Sequence, residues 1–125
     1  RPDAIIAIDS LVSRKLSRLC RTIQLSDTGI TPGGGIAPGR FPLDEQTLHT
    51  PVLAIGIPTV VEARTLAADL CPNAPPEEEL PPTSLIVTPK DIDALMVKSA
   101  KILGYAIDMA LHTHLSVEDI ESLLS

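Results

Sequence analysis

Two apolar runs limit this chain more than any other feature. Residues 3–9, DAIIAID, hold five consecutive apolar side chains between acids, and residues 52–57, VLAIGI, are apolar throughout. Neither run alternates with a period of two, and both are too short for an ordinary helix. Each therefore reads as a strand buried on both faces, as in a parallel sheet covered by helices. The expected class is α/β.

The remaining segments fit around those strands. SLVSRKLSRLC (10–20) spaces Val12, Leu16 and Leu19 at i, i+4 and i+7, the pattern of a helix with a basic outer face. TIQL (22–25) reads as a short strand that opens a loop running to about residue 44, rich in glycine and proline. Loops of that length usually carry function or lack order. After the second strand, Pro58-Thr59 make a break, and VVEARTLAADL (60–70) reads as a helix. CPNAPPEEELPPTS (71–84) reads as a Pro- and Glu-rich linker without packing capacity. A long helix is expected over about 89–111, capped by Thr88, with Pro89 at its first position and Asp91 in its first turn. VEDIESLL, capped by Ser116, closes the chain. The sum is an incomplete α/β pattern, a single domain over 1–125 or the C-terminal part of a larger one, with unprotected sheet edges.

Charge removes one function class. The net charge is −6, the only basic cluster is Arg14, Lys15, Arg18 and Arg21, and the aromatics are Phe41 and Tyr105. A nucleic-acid surface needs a basic stripe and stacking rings, so none is expected. No run approaches the roughly 20 apolar residues that span a bilayer, so no membrane association is expected either. No export signal is read, and Cys20 and Cys71 are expected as buried thiols of a reducing, cytoplasmic compartment.

Asp27-Thr28-Gly29 is the triplet on which pepsin-like enzymes mount a catalytic carboxylate. Here Ile30 follows it and no second DTG occurs. The preferred reading is a turn in which Asp27 bonds its own backbone and Gly29 supplies a positive φ. Asp9 is the stronger candidate, because it ends a buried strand, and in open α/β sheets catalytic groups gather at the carboxyl ends of strands. It is equally placed to cap the helix expected next, and the pattern leaves both roles open. Gly33, Gly34 and Gly35 could present backbone amides to a substrate or oxyanion, without the spacing of a phosphate loop. His112 and His114 read as the polar end of the long helix and not as metal ligands. Ser10 and Ser13 have no nearby histidine to make a nucleophile. No metal site and no cofactor are expected.

Taken together, PDAIIAIDSLVSR, TIQLSDTGITPGGG, PVLAIGIPTVVEA and LIVTPKDIDALM resemble the spore germination proteases, in the same order over residues 2 to about 112. The resemblance implies a three-layer α/β/α sandwich like that of the hydrogenase maturation proteases, of which this chain would be the C-terminal half. It implies an endopeptidase that degrades small acid-soluble spore proteins in the spore core, assembled as a homotetramer and matured from a zymogen by self-cleavage. It also implies an aspartic-type site in which Asp9 is one of two carboxylates. The other belongs to a TPDALGP-like block that this chain lacks, and TPKDIDAL at 88–95 does not take its place. Gly33, Gly34, Gly35 and Arg40 become substrate-loop candidates. Departures from the family are GGGIAPGR, with Ala37 and Pro38 where Gly-Asn is usual, and a short linker at 71–84.

A split dyad makes physical sense, since two carboxylates about 3 Å apart share one proton and divide the roles of base and acid. Alone, the chain is expected to be inactive, its partners being the missing N-terminal segment, further copies and the substrate. Two other readings stay open: a non-catalytic scaffold or oligomerisation fragment, and a metal-dependent peptidase with Asp9 as a ligand.

Overall fold

The computed structural model describes residues 1–33 and 40–124. In chain order the elements are β1 (Ile5–Ser13), β2 (Gln24–Ser26), α1 (Glu45–Leu48), β3 (Val52–Glu62), α2 (Ala63–Leu70), β4 (Ile86–Val87), α3 (Ile92–Leu111) and α4 (Val117–Leu124). Single 3-10 turns lie at Leu16–Arg18 and Glu77–Glu79. Two compact units divide the chain, Arg1–Lys90 and Asp91–Ser125. The protein is thus mixed α/β, and the Pro- and Glu-rich stretch falls inside the first unit.

The sheet of the first unit is mixed, not purely parallel. β1 runs parallel to β3 from Ile5↔Val52 to Ser13↔Val61, while β2 and β4 pair with β3 antiparallel. β3 is the centre, with Val52, Ala54, Ile55, Ile57 and Val61 all buried. Each fully buried valine or isoleucine contributes about 1.5–3 kcal/mol relative to exposure, so this strand is the main source of cohesion. The expectation that both strands are covered on both faces fails for β1. Ile6 and Ile8 are exposed, as are Leu53 and Leu25, and they share one face of the sheet.

The helix expected over 10–20 is absent, because β1 continues to Ser13. Its partner explains why. β3 runs through Pro58 to Glu62 and keeps offering positions to pair with, so the β-branched Val12 sits opposite Val60. The ladder skips one residue between Leu11 and Val12, where Pro58 has no N–H to give. Carbonyls at this bulge are used elsewhere: Pro58 O accepts from Cys20 N (2.7 Å) and Thr59 O from the Thr88 hydroxyl (2.8 Å). The remnant of the expected helix is the turn at Leu16–Arg18, whose Leu16 N–H donates to Asp69 Oδ2 at 2.7 Å.

The same strand extension shifts the next helix. Val60 and Val61 stay in β3, and α2 begins only at Ala63. Downstream, Thr88 spends its hydroxyl on Thr59 O and caps nothing, so α3 starts at Ile92 with Asp91 before it and no side-chain cap bond. Residues 71–84 are mostly exposed, and within them Glu77 makes side-chain contacts with α2. The hydroxyl of buried Thr65 donates to Glu77 Oε1 at 2.7 Å, and Arg64 Nε lies 3.7 Å from the same oxygen.

In the second unit, α3 and α4 pack together, with Ile120 only 1% exposed beside a small cavity of about 330 Å³ that Asp108, His112 and Leu115 also line. Ser116 caps α4 as its sequence suggests. Its hydroxyl accepts from Asp119 N (3.1 Å), and Asp119 Oδ2 accepts from Ser116 N (2.9 Å).

Candidate functional site

Asp9 does not end its strand. It sits half-buried in the middle of β1, in a row that crosses the sheet through Gly56 of β3 to Gln24 of β2. No helix follows it, so the capping role is ruled out. Its carboxylate instead takes two backbone donors, Ser10 N–H to Oδ1 at 2.8 Å and Gly33 N–H to Oδ2 at 3.0 Å. A carboxylate oxygen has two lone pairs, so each keeps one for a water or an acid partner.

Gly33 reaches that position with φ +63°, a conformation a side chain disfavours. The Arg40 side chain lies alongside, with its Nε and Cζ 3.7 Å from where a Cβ on Gly33 would be. Three of the residues singled out from sequence, Asp9, Gly33 and Arg40, are therefore gathered in one place. Gly34 and Gly35 lie outside the described residues.

Gly56 shapes the floor of this site. A Cβ there would come within 2.2 Å of Leu11 Cδ1, so the leucine side chain lies across the strand where the glycine leaves room. Leu11 projects from the same face as Asp9, two residues away. On that face opens a cleft of about 860 Å³, lined by Leu11, Gln24, Arg14, Thr65 and Glu78 among others. Sequence reasoning passed over Gln24 and Glu77. Gln24 was detectable as the polar residue between Ile23 and Leu25 of TIQL, whereas nothing local marks Glu77, which meets Thr65 only through the fold.

The DTG triplet marks the base of the loop. Gly29 has φ +85°, as expected, and a Cβ there would meet Leu43 O at 2.3 Å. The side-chain acceptor in the turn is Ser26 Oγ, which takes Thr28 N–H at 3.1 Å, and not the Asp27 carboxylate. Just beyond, Ile30 and Leu43 exchange two backbone bonds of 3.0 and 2.7 Å that close the loop base. Asp44 then caps α1 by accepting from Thr47 N at 2.8 Å, and that bond holds its carboxyl below the usual range.

His112 and His114 stack edge to face, 6.1 Å apart, at the end of α3. Among the described residues no group of three or more His, Cys, Asp or Glu is placed to hold a metal ion. Cys71 is exposed and Cys20 half-buried, so the thiols are not buried as expected. No described helix is long and apolar enough to cross a membrane.

A strand-borne carboxylate fixed by two backbone N–H groups has the chemistry of a hydrolase acid or base, and the comparisons with known proteins agree with that class. The family model described as Germination protease matches residues 1–72. A germination protease of Clostridium tetani is 40% identical over 155 aligned positions, covering 100% of this chain and 48% of that protein. One of Clostridium perfringens is 36% identical with the same coverage, and one of Bacillus pumilus is 54% identical over 69 residues. The chain belongs to the germination protease family, a family of peptidases. It spans about half the length of the curated relatives it matches. Since 155 positions align with 125 residues, the Clostridium tetani relative carries about thirty residues that this chain lacks. The family match ends at residue 72, where the Pro- and Glu-rich stretch begins.

Proposed function

We propose that this chain supplies Asp9 as one of the two carboxylates of an aspartic-type endopeptidase that hydrolyses small acid-soluble spore proteins during germination. The observation that carries the reading is the Asp9 carboxylate itself. It is fixed by Ser10 N–H and Gly33 N–H, and each of its oxygens keeps a lone pair beyond the bond it accepts. In the reaction, Asp9 and its partner share a proton, one accepting a proton from the attacking water while the other donates to the carbonyl oxygen or leaving amine. The glycine loop would contact substrate through Gly33, Gly34, Gly35 and Arg40.

The second carboxylate belongs to the N-terminal part of the full-length protein. That part would also complete a three-layer α/β/α sandwich by covering the face on which Ile6, Ile8, Leu53 and Leu25 are exposed. Family resemblance supports a homotetramer that matures from a zymogen and works in the spore core, without a cofactor. Turnover of a small acid-soluble spore protein by the full-length enzyme, wild type against Asp9→Asn, tests the assignment. The asparagine variant is expected to lose at least about a hundredfold in kcat. Full activity in that variant would falsify it.

A further inference from the structure

The cleft of about 860 Å³ has the size of a ligand site, and its place in the sheet relates it to Asp9. Asp9, Gly56 and Gln24 form one row across three strands, and residues paired directly across a sheet point to the same face. Leu11, two residues further along β1 and paired with Pro58, leans its side chain over Gly56. Of the residues that line the cleft, Leu11 and Gln24 stand on the face of the sheet that bears Asp9, and Glu77 and Glu78 of the Pro- and Glu-rich stretch line it as well.

Most of the charge in this cleft is already committed. Arg64 Nε pairs with Glu62 at 3.1 Å and lies 3.7 Å from Glu77, which also takes the Thr65 hydroxyl. Ser13 gives its hydroxyl to Lys15 O at 2.5 Å. What is left without a hydrogen bond or ion pair among the described residues is the Gln24 amide, across β3 from Asp9, together with Arg14 and Glu78. An amide offers both a donor and an acceptor, which matches the N–H and C=O of a peptide unit. One unpaired cation and one unpaired anion give no clamp for a phosphate or a polyanion. An apolar strip from Leu11 and Val12 within an otherwise polar lining suits an extended chain of mixed side chains.

We infer that this cleft seats an extended stretch of the polypeptide substrate, running from Asp9 past Gln24 toward Glu78. The inference rests on the reading of Asp9 as a peptide-cleaving carboxylate. Gln24 holds a backbone amide of the bound chain next to the reacting bond, and the segment 77–79 is the outer wall of the groove. Both Gln24 and Glu78 are exposed, so substitutions there leave the core untouched.

The test is steady-state kinetics of the full-length enzyme on a small acid-soluble spore protein, with Gln24→Trp, Glu78→Arg and Asp9→Asn beside wild type. Gln24→Trp fills the inner end of the cleft and is expected to raise KM at least about tenfold with kcat within about threefold, and Glu78→Arg to raise KM several-fold. Thermal midpoints are recorded for each, and should Gln24→Trp unfold, Glu78→Arg decides. Wild-type KM in a folded Gln24→Trp, with Asp9→Asn inactive, overturns the cleft assignment and leaves the protease reading standing. A full kcat in Asp9→Asn overturns the protease reading, whatever the cleft variants do.

Discussion

The two halves of this molecule are held by different kinds of contact. In the first unit, β1 and β3 join residues 47 positions apart, beginning with Ile5 on Val52, and the central strand is buried along most of its length. In the second, α3 and α4 are neighbours in sequence joined by a tight turn, and Val97, Ile102, Met109 and Leu111 are exposed. The sheet derives its order from distant partners and tolerates little, whereas the helix pair depends on a few anchors and a cap. Position in the sheet also decides where chemistry can be mounted. Asp9 can be held to two N–H donors because the strand that carries it is pinned along nine residues.

That contrast can be broken from either side. Val61 is 0% exposed and pairs with both Ser13 and Val87. Val61→Asp would bury an unpaired carboxylate, costing on the order of 4 kcal/mol or more, and should abolish the cooperative urea transition of the first unit. Ile120→Ala removes the anchor of the helix pair at a cost of about 2–5 kcal/mol. Hydrogen exchange should then show lost protection in α4 and the last turns of α3, with the amides of β1 and β3 unchanged. A simultaneous loss in the strands would show that the two units unfold together.

The smallest effect sharpens the comparison by pH. The Asp119 carboxyl is held below its usual range, chiefly by Ser116 N–H and then by the Ser116 hydroxyl, with a smaller contribution from the charge of His114. A carboxylate with a depressed folded value stabilises above its unfolded value near ~4 and loses that contribution as pH falls through the lower folded one. Helicity of α4, followed by circular dichroism or amide shifts, should therefore hold at pH 5 and decline in stronger acid, while the strands show no such step from this cap. Ser116→Ala should cost about 1 kcal/mol in the helix pair and remove the acid step.

Much of this arrangement was legible in sequence, and the failures share one cause. DAIIAID and VLAIGI announced their strands because a buried run needs no partner to be recognised. Their ends were misjudged, since SLVS and PTVVE look helical or broken until each is placed beside the other. Pro58 seemed a terminator, yet a bulge absorbs its missing N–H. Asp9 could be singled out, but its donor, Gly33, lies 24 residues away and no local pattern predicts that bond. Ser116 and Gly29 were read correctly because a cap and a positive-φ turn are local. Thr88 was not, because Thr59 O competes for its hydroxyl.

Every other strand of the sheet pairs with β3, and none of those pairs forms without it. This has a consequence for synthesis. β1 leaves the ribosome before β3, and its pairing with β3 waits until residues 52–62 follow, roughly 3 to 10 seconds later at ordinary elongation rates. Through that interval Ile5, Ile6 and Ile8 are an open template in a nascent chain. Closing the open backbone edge of β1 depends on the arrival of one segment, so the speed of translation across residues 14–51 sets how long that edge is vulnerable to trapping.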